Sequence, residues 1–202
     1  MSLLVNRRRG VGKSSLYDAE IEYLQSSGTQ WIDVSVLANK SSKVEVKCKW
    51  TPVNAQRILS TRTASWTNQF EILGGTSNKI IFRFGSGTVK QREYTLTNTS
   101  NWHVMYMDAT KATVDGQNST GSYGDINISN TYSVVLFAGG GDIRGGSRSS
   151  LPIVYVKFYD NDDLVRDLIP VRKGNIGYMY DKVSSQLFEN SGTGNFILGP
   201  DK

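Results

Sequence analysis

A chain of 202 residues with 20 glycines, ten tyrosines and one cysteine is long enough to bury one sizeable core, and it excludes an internal disulfide. The formal net charge is +5, but Arg7, Arg8, Arg9 and Lys13 supply most of it before the first acid at Asp18. The remainder is close to neutral, so a general nucleic-acid-binding surface is not indicated. No run approaches the length of a membrane span.

Residues 1–16 stand apart as a basic segment with neither helix nor strand period, and 17–202 read as one domain. Leu3-Leu4-Val5 is too short for the apolar part of a signal peptide, and the arginines follow it, so the expectation is synthesis and folding in a cytoplasm. The arm reads either as a tail or as an anchor. In the anchor, Leu3, Leu4 and Val5 are apolar plugs, Arg7, Arg8 and Arg9 pair with carboxylates of a partner, and Lys13 belongs to the same binding segment. Gly12-Lys13-Ser14 is no phosphate loop, because Arg7 stands where the first glycine is needed and no apolar strand precedes it.

Residues 20–36 read as strand, turn, strand, with Ile32, Val34 and Val36 facing inward. Residues 44–50 alternate cleanly, and Cys48 falls on the apolar side as a buried structural thiol. A short strand at 57–61, a polar loop at 63–68 and a strand pair at 70–73 and 79–84 follow. Further strands fall at 89–96, 101–107 and 111–114, and Asp115-Gly116 is a strong turn signal. Residues 132–138 are nearly all apolar, as in a central strand covered on both faces. Residues 151–200 read as a meander. Val154, Val156 and Phe158 alternate with Tyr155, Lys157 and Tyr159, the partner strand is 164–169, and Pro170 belongs at a strand end or edge. The last elements are a hairpin of 176–180 with 186–188 and a final strand at 196–198. The sum is an all-β chain of about a dozen strands, the size of a two-sheet antiparallel jelly-roll β-sandwich.

YDNDDLVRDLIPVR, GYMYDKVSSQLFENSGTGNF and EIEYLQSSGTQWIDVSV together resemble a concanavalin-A-like, laminin-G-like β-sandwich of the variant that recurs in proteins of gut-bacterial phages and their hosts. The likeness runs from about residue 20 to residue 200, and the WHV…VDG passage is similar to the central hairpin of laminin-G-like domains. Folds of this kind serve as lectins, enzyme domains and structural decorations. The MSLLVNRRR start resembles the amino termini of some gut-phage virion proteins. The resemblance therefore implies a non-enzymatic virion protein, as a head fibre, capsid decoration or tail-associated protein. Its arm would bind other virion proteins, its sandwich would face outward, and copies would assemble symmetrically. The alternative is a carbohydrate-binding adhesion module recognising host or mucosal glycans. A glycoside hydrolase is the third reading.

The residues offer little chemistry of their own. His103 is the only histidine, and no second histidine or spaced cysteine accompanies it to hold zinc. Glu20 and Glu22 alternate but open the first strand, and no third acid continues the series that glycosidases of this fold need. Asp160, Asp162 and Asp163 form a turn that lacks the spacing of a calcium loop. No catalytic residue, metal ligand or cofactor is assigned. Trp50 and Trp102 fit core positions. Trp66, in a polar loop with Asn68, is the candidate for stacking on a sugar ring, and Arg144 and Arg148 in the glycine-rich loop 139–148 are candidates for contact with a sugar acid or carboxylate.

Overall fold

The structure is a computed structural model, and it describes residues 15–63, 67–86, 90–141 and 144–202. Its strands in chain order are β1 (Ala19–Glu20), β2 (Leu24–Gln25), β3 (Ile32–Asp33), β4 (Ser42–Cys48), β5 (Arg57–Thr63) and β6 (Thr67–Gly74). They continue with β7 (Lys79–Gly85), β8 (Arg92–Thr95), β9 (His103–Met107), β10 (Ala112–Val114), β11 (Gln117–Asn118) and β12 (Thr120–Gly121). The last are β13 (Val135–Leu136), β14 (Pro152–Asp160), β15 (Asp163–Lys173), β16 (Ile176–Asp181), β17 (Gln186–Phe188) and β18 (Ile197–Leu198).

These strands form two antiparallel sheets, as the alternating pattern implies. The larger runs β11-β10-β9-β4-β14-β15-β16-β17, with β1, β2 and β18 joined at its side, and the smaller runs β12-β8-β7-β6-β5-β13-β3. Val44, Val46, Cys48, Met105, Met107, Val156 and Phe158 from the first sheet meet Leu59, Phe70, Ile72, Ile80, Phe82 and Phe84 from the second. Each such side chain contributes about 1.5–3 kcal/mol on burial, so the seam between the sheets is the main source of stability.

The turn chemistry explains the meander. Asp115 at φ 52° and Gly116 at φ 78° join β10 to β11, and the second position suits a residue without Cβ. Asn161 at φ 55° turns β14 into β15.

Three expectations are corrected. Val154 does not face inward. Ile153 pairs with Cys48 and Tyr155 with Lys47, so β14 carries one extra residue, and the bulge turns Val154 outward while Ile153 takes the core position. Pro170 lies inside β15, not at its end. It sits where β15 passes from β14, last paired at Leu168, to β1, first paired at Val171, and its carbonyl accepts from Ile21 N at 3.1 Å. Residues 132–138 supply a strand of only two residues, β13 (Val135–Leu136), which is buried and paired on both sides, to β5 and β3. Phe137 ends it with φ 66°, although residues 134–138 are all buried.

Candidate functional site

The candidate site is built where β4 and β9 run out at one end of the larger sheet. In β4 the side chains of Ser42, Val44, Val46 and Cys48 point inward, so Lys43, Glu45 and Lys47 point out. In β9, His103, Met105 and Met107 point inward, and Val104 and Tyr106 point out. Cys48 pairs with His103, so the next residues along, Lys49 and Trp102, are neighbours on the outer side. Trp102 is therefore 36 % exposed, against 3 % for Trp50. This corrects the core assignment of Trp102: its parity places it with Val104 and Tyr106, not with the core.

The neighbours of Trp102 hold it in place. The Tyr23 ring lies 5.8 Å away at 41°, and the Lys49 ammonium sits 5.1 Å from the indole centroid. Tyr23 is itself fixed, because its carbonyl accepts from Gly199 N at 3.0 Å and Glu22 N donates to Pro200 O at 2.8 Å. Trp102, Val154, Lys47, Glu22 and Lys202 line a depression of about 220 Å³. The bulge in β14 is what brings Val154 into it.

A second cleft, of about 510 Å³, shares this corner and is lined by Lys49, Trp50, Thr51, Val53, Gln56, Thr99, Ser100 and Ser150. Two connections build it. Residues 51–56 are pinned to the end of β6, with Ala55 N donating to Gly74 O at 3.0 Å and Gly74 N to Gln56 O at 2.9 Å. A Cβ on Gly74 would stand 2.3 Å from Val53 O and 2.9 Å from Trp50 Cη2, so only glycine allows this approach. Residues 97–101 are held by His103. Its Nδ1 lies 2.6 Å from Asp115 Oδ2 and its Nε2 2.6 Å from Asn98 O. Both partners are hydrogen-bond acceptors, and each ring nitrogen faces one of them. Asp115 Oδ1 also accepts from Val104 N at 2.8 Å, which ties the β10–β11 turn to the same corner.

The cleft is polar, and Lys49 is the one charged residue of its lining. Among the described residues the side chains of Thr51, Gln56, Thr99 and Ser100 make no hydrogen bond within the chain, and Ser150 Oγ donates to Ser26 O at 3.1 Å. The outer face of the sheet beyond it is different. There Tyr155 Oη donates to Glu45 at 2.9 Å and Tyr106 Oη to Asp108 at 2.7 Å. Burial first, and then these carboxylates, push both phenols above their ordinary value.

The residues singled out from sequence fall elsewhere. Leu3, Leu4, Arg7, Arg8, Arg9, Lys13 and Trp66 lie outside the described residues. Asn68 is the second residue of β6, at φ 51°, and its Oδ1 accepts from Ser86 Oγ at 3.2 Å and Ser129 N at 3.1 Å. Arg144 pairs with Asp33 and stacks 5.3 Å from the Trp31 ring, and Arg148 Nε donates to Gly145 O at 2.5 Å. These polar groups are engaged inside the chain, and none lines either cavity beside Trp102.

Sequence reasoning missed Thr51, Gln56, Thr99 and Ser100 altogether. It also missed Glu71 on β6, the middle strand of the smaller sheet. Glu71 is fully buried and accepts from Arg57 Nε at 2.9 Å and Ser60 Oγ at 2.6 Å, with Arg83 at 3.6 Å. Burial pulls the Arg83 guanidinium below its ordinary value, and Glu71 opposes that shift. A retaining glycosidase needs a second carboxyl group about 5–5.5 Å away. The alternate positions on the same strand are Gln69 and Leu73, and no carboxylate is among the partners of Glu71. The cluster is a buried ion-pair knot. Among the described residues no group of three or more His, Cys, Asp or Glu could hold a metal, and no helix is long and apolar enough to cross a membrane.

No protein-family model matches the chain, and no curated protein matches it. Among solved structures it is similar to a candidate carbohydrate-binding protein of Bacteroides ovatus, with TM-score 0.52 and 12% identity, covering 91% of this chain. The chain spans 61% of that protein's length. At this identity the likeness bears on architecture alone. With the two sheets described above, it establishes an all-β, two-sheet sandwich of jelly-roll type.

Proposed function

We propose that the protein is a non-enzymatic carbohydrate-binding β-sandwich that holds a glycan across Trp102 and the adjoining cleft. The observation that carries this reading is an exposed indole beside unengaged hydroxyl and amide groups. A pyranose offers an apolar C–H face and a rim of hydroxyls. An aromatic ring and fixed neutral polar groups complement both, in the general manner of ligand sites. The sandwich's similarity to a candidate carbohydrate-binding protein agrees with this use. A glycan array probed with the natural chain and with Trp102→Ala tests it. Binding that is lost in the variant supports the reading, and binding that is unaffected refutes the site.

The virion setting implied by the sequence resemblance is a proposal about where such binding is used. It rests on the concentration of charge at Arg7, Arg8, Arg9 and Lys13. In that reading the arm docks on a capsid or tail protein, and particle attachment is lost when the three arginines become alanine. Attachment that survives the change removes the anchor.

A further inference from the structure

The charged groups around Trp102 point to a class of glycan. Lys47 and Lys202 line the depression beside the indole, and Lys49 lies over the ring and borders the larger cleft. Glu22 is the single side-chain carboxylate among these lining residues. None of the three lysines has an ion-pair partner among the described residues. Six arginines elsewhere, by contrast, are committed: Arg57 and Arg83 to Glu71, Arg144 to Asp33, Arg148 to Gly145 O, Arg166 to Asp181 and Arg172 to Asp201.

We infer that the ligand at Trp102 is an acidic glycan, whose carboxylate or sulfate group is held by Lys47, Lys49 and Lys202 while a sugar ring lies on the indole. The inference rests on the carbohydrate reading above. Lys47 and Lys202 have no carboxylate partner among the described residues, and Lys49 is engaged with the indole, not with an acid, so an anion can be met without breaking an ion pair. Lys47 and Lys202 share the lining of the depression and Lys49 lies on the adjoining indole, with Glu22 alone opposing them, so an anion placed there meets more positive than negative charge. A neutral sugar would use the ring and the hydroxyls and leave the lysines idle.

Matched polymers test the charge and its source. Polygalacturonate is compared with its fully methyl-esterified form, and dextran sulfate with dextran, by affinity electrophoresis and calorimetry of the full chain. The arm's own charge is removed by Arg7→Ala, Arg8→Ala, Arg9→Ala and Lys13→Ala, so that it cannot retain polyanions. The expected result is that the charged member of at least one pair binds about tenfold tighter than its neutral form. That preference should shrink as salt rises from about 50 mM to about 500 mM. Lys47→Gln and Lys202→Gln should each weaken the charged polymer by about two- to fivefold, and Trp102→Ala should weaken it by about 20-fold. Neutral forms that bind as tightly as charged ones, in a Trp102-dependent way, overturn the inference and leave the carbohydrate reading standing. Polyanion binding that is indifferent to Trp102→Ala overturns it as mere charge attraction. No Trp102-dependent binding to either charged polymer overturns the inference, and the glycan array decides the carbohydrate reading separately.

Discussion

Replacing Trp102 by alanine separates a surface platform from a core residue. Burying an indole covers about 200 Å². The exposed 36 % of Trp102 therefore leaves roughly 70 Å² for a ligand to cover. At about 25 cal/mol per Å² this is worth about 2 kcal/mol, or roughly a 20-fold change in Kd. The stability cost runs the other way. Trp102 loses its contacts with Tyr23 and Lys49 and leaves no closed cavity, so Trp102→Ala should cost about 1 kcal/mol or less. Trp50 is buried against Gly74 and should cost about 3–5 kcal/mol when truncated. The assay pairs urea unfolding of the two variants with calorimetric binding of a glycan found on the array. Trp102→Ala that unfolds as easily as Trp50→Ala refutes the exposed platform. Trp102→Ala that is stable and binds within twofold of the natural chain refutes the site.

Glu71→Leu should cost about 3–5 kcal/mol, read as a shift in the urea midpoint, because it leaves Arg57 and Arg83 buried without their carboxylate; a shift near zero contradicts the ion-pair knot. Burial alone would raise the Asp181 carboxyl, but the Ser184 hydroxyl and the N–H groups of Asp167, Val183 and Ser184 hold it below its ordinary value. The stability it adds is full above the unfolded carboxylate range, near about 4, and is lost as pH falls through the lower folded value. Asp181→Asn should therefore flatten the acid limb of stability against pH, and an unchanged limb contradicts the assignment. The Cys48 thiol is pushed up to about 12, mainly by burial, so iodoacetamide should leave the native protein unmodified near neutral pH and label it in urea. Rapid native labelling would show that this strand opens.

Much of the fold was legible because it is local. Asp115-Gly116, the alternation of residues 44–48 and the hairpin of β16 with β17 are written in neighbouring residues. The bulge at Val154 was not, since an extra residue in a ladder is defined by the partner strand, and Val154 and Val156 look equally apolar. Trp102 could have been read correctly: His103, Met105 and Met107 take the core side, so its parity places it outside. Its apolar bulk argued for the core instead. The cleft was beyond sequence, because Thr51 and Gln56 precede β5 while Thr99 and Ser100 precede β9. Only the pairing of β4 with β9 brings those connections to one corner. Arg144 shows the converse error. An arginine in a glycine-rich loop looks available, but Asp33, more than a hundred residues earlier, already holds it.

The most direct measurement follows the indole N–H resonances during titration with a glycan taken from the array. The four tryptophans report separately. The Trp102 signal, assigned by its loss in Trp102→Ala, should shift in proportion to occupancy while that of Trp31, which lines neither cavity, stays still. A titration that saturates with Trp102 unmoved, and another indole shifted in its place, would contradict the site on which this account depends.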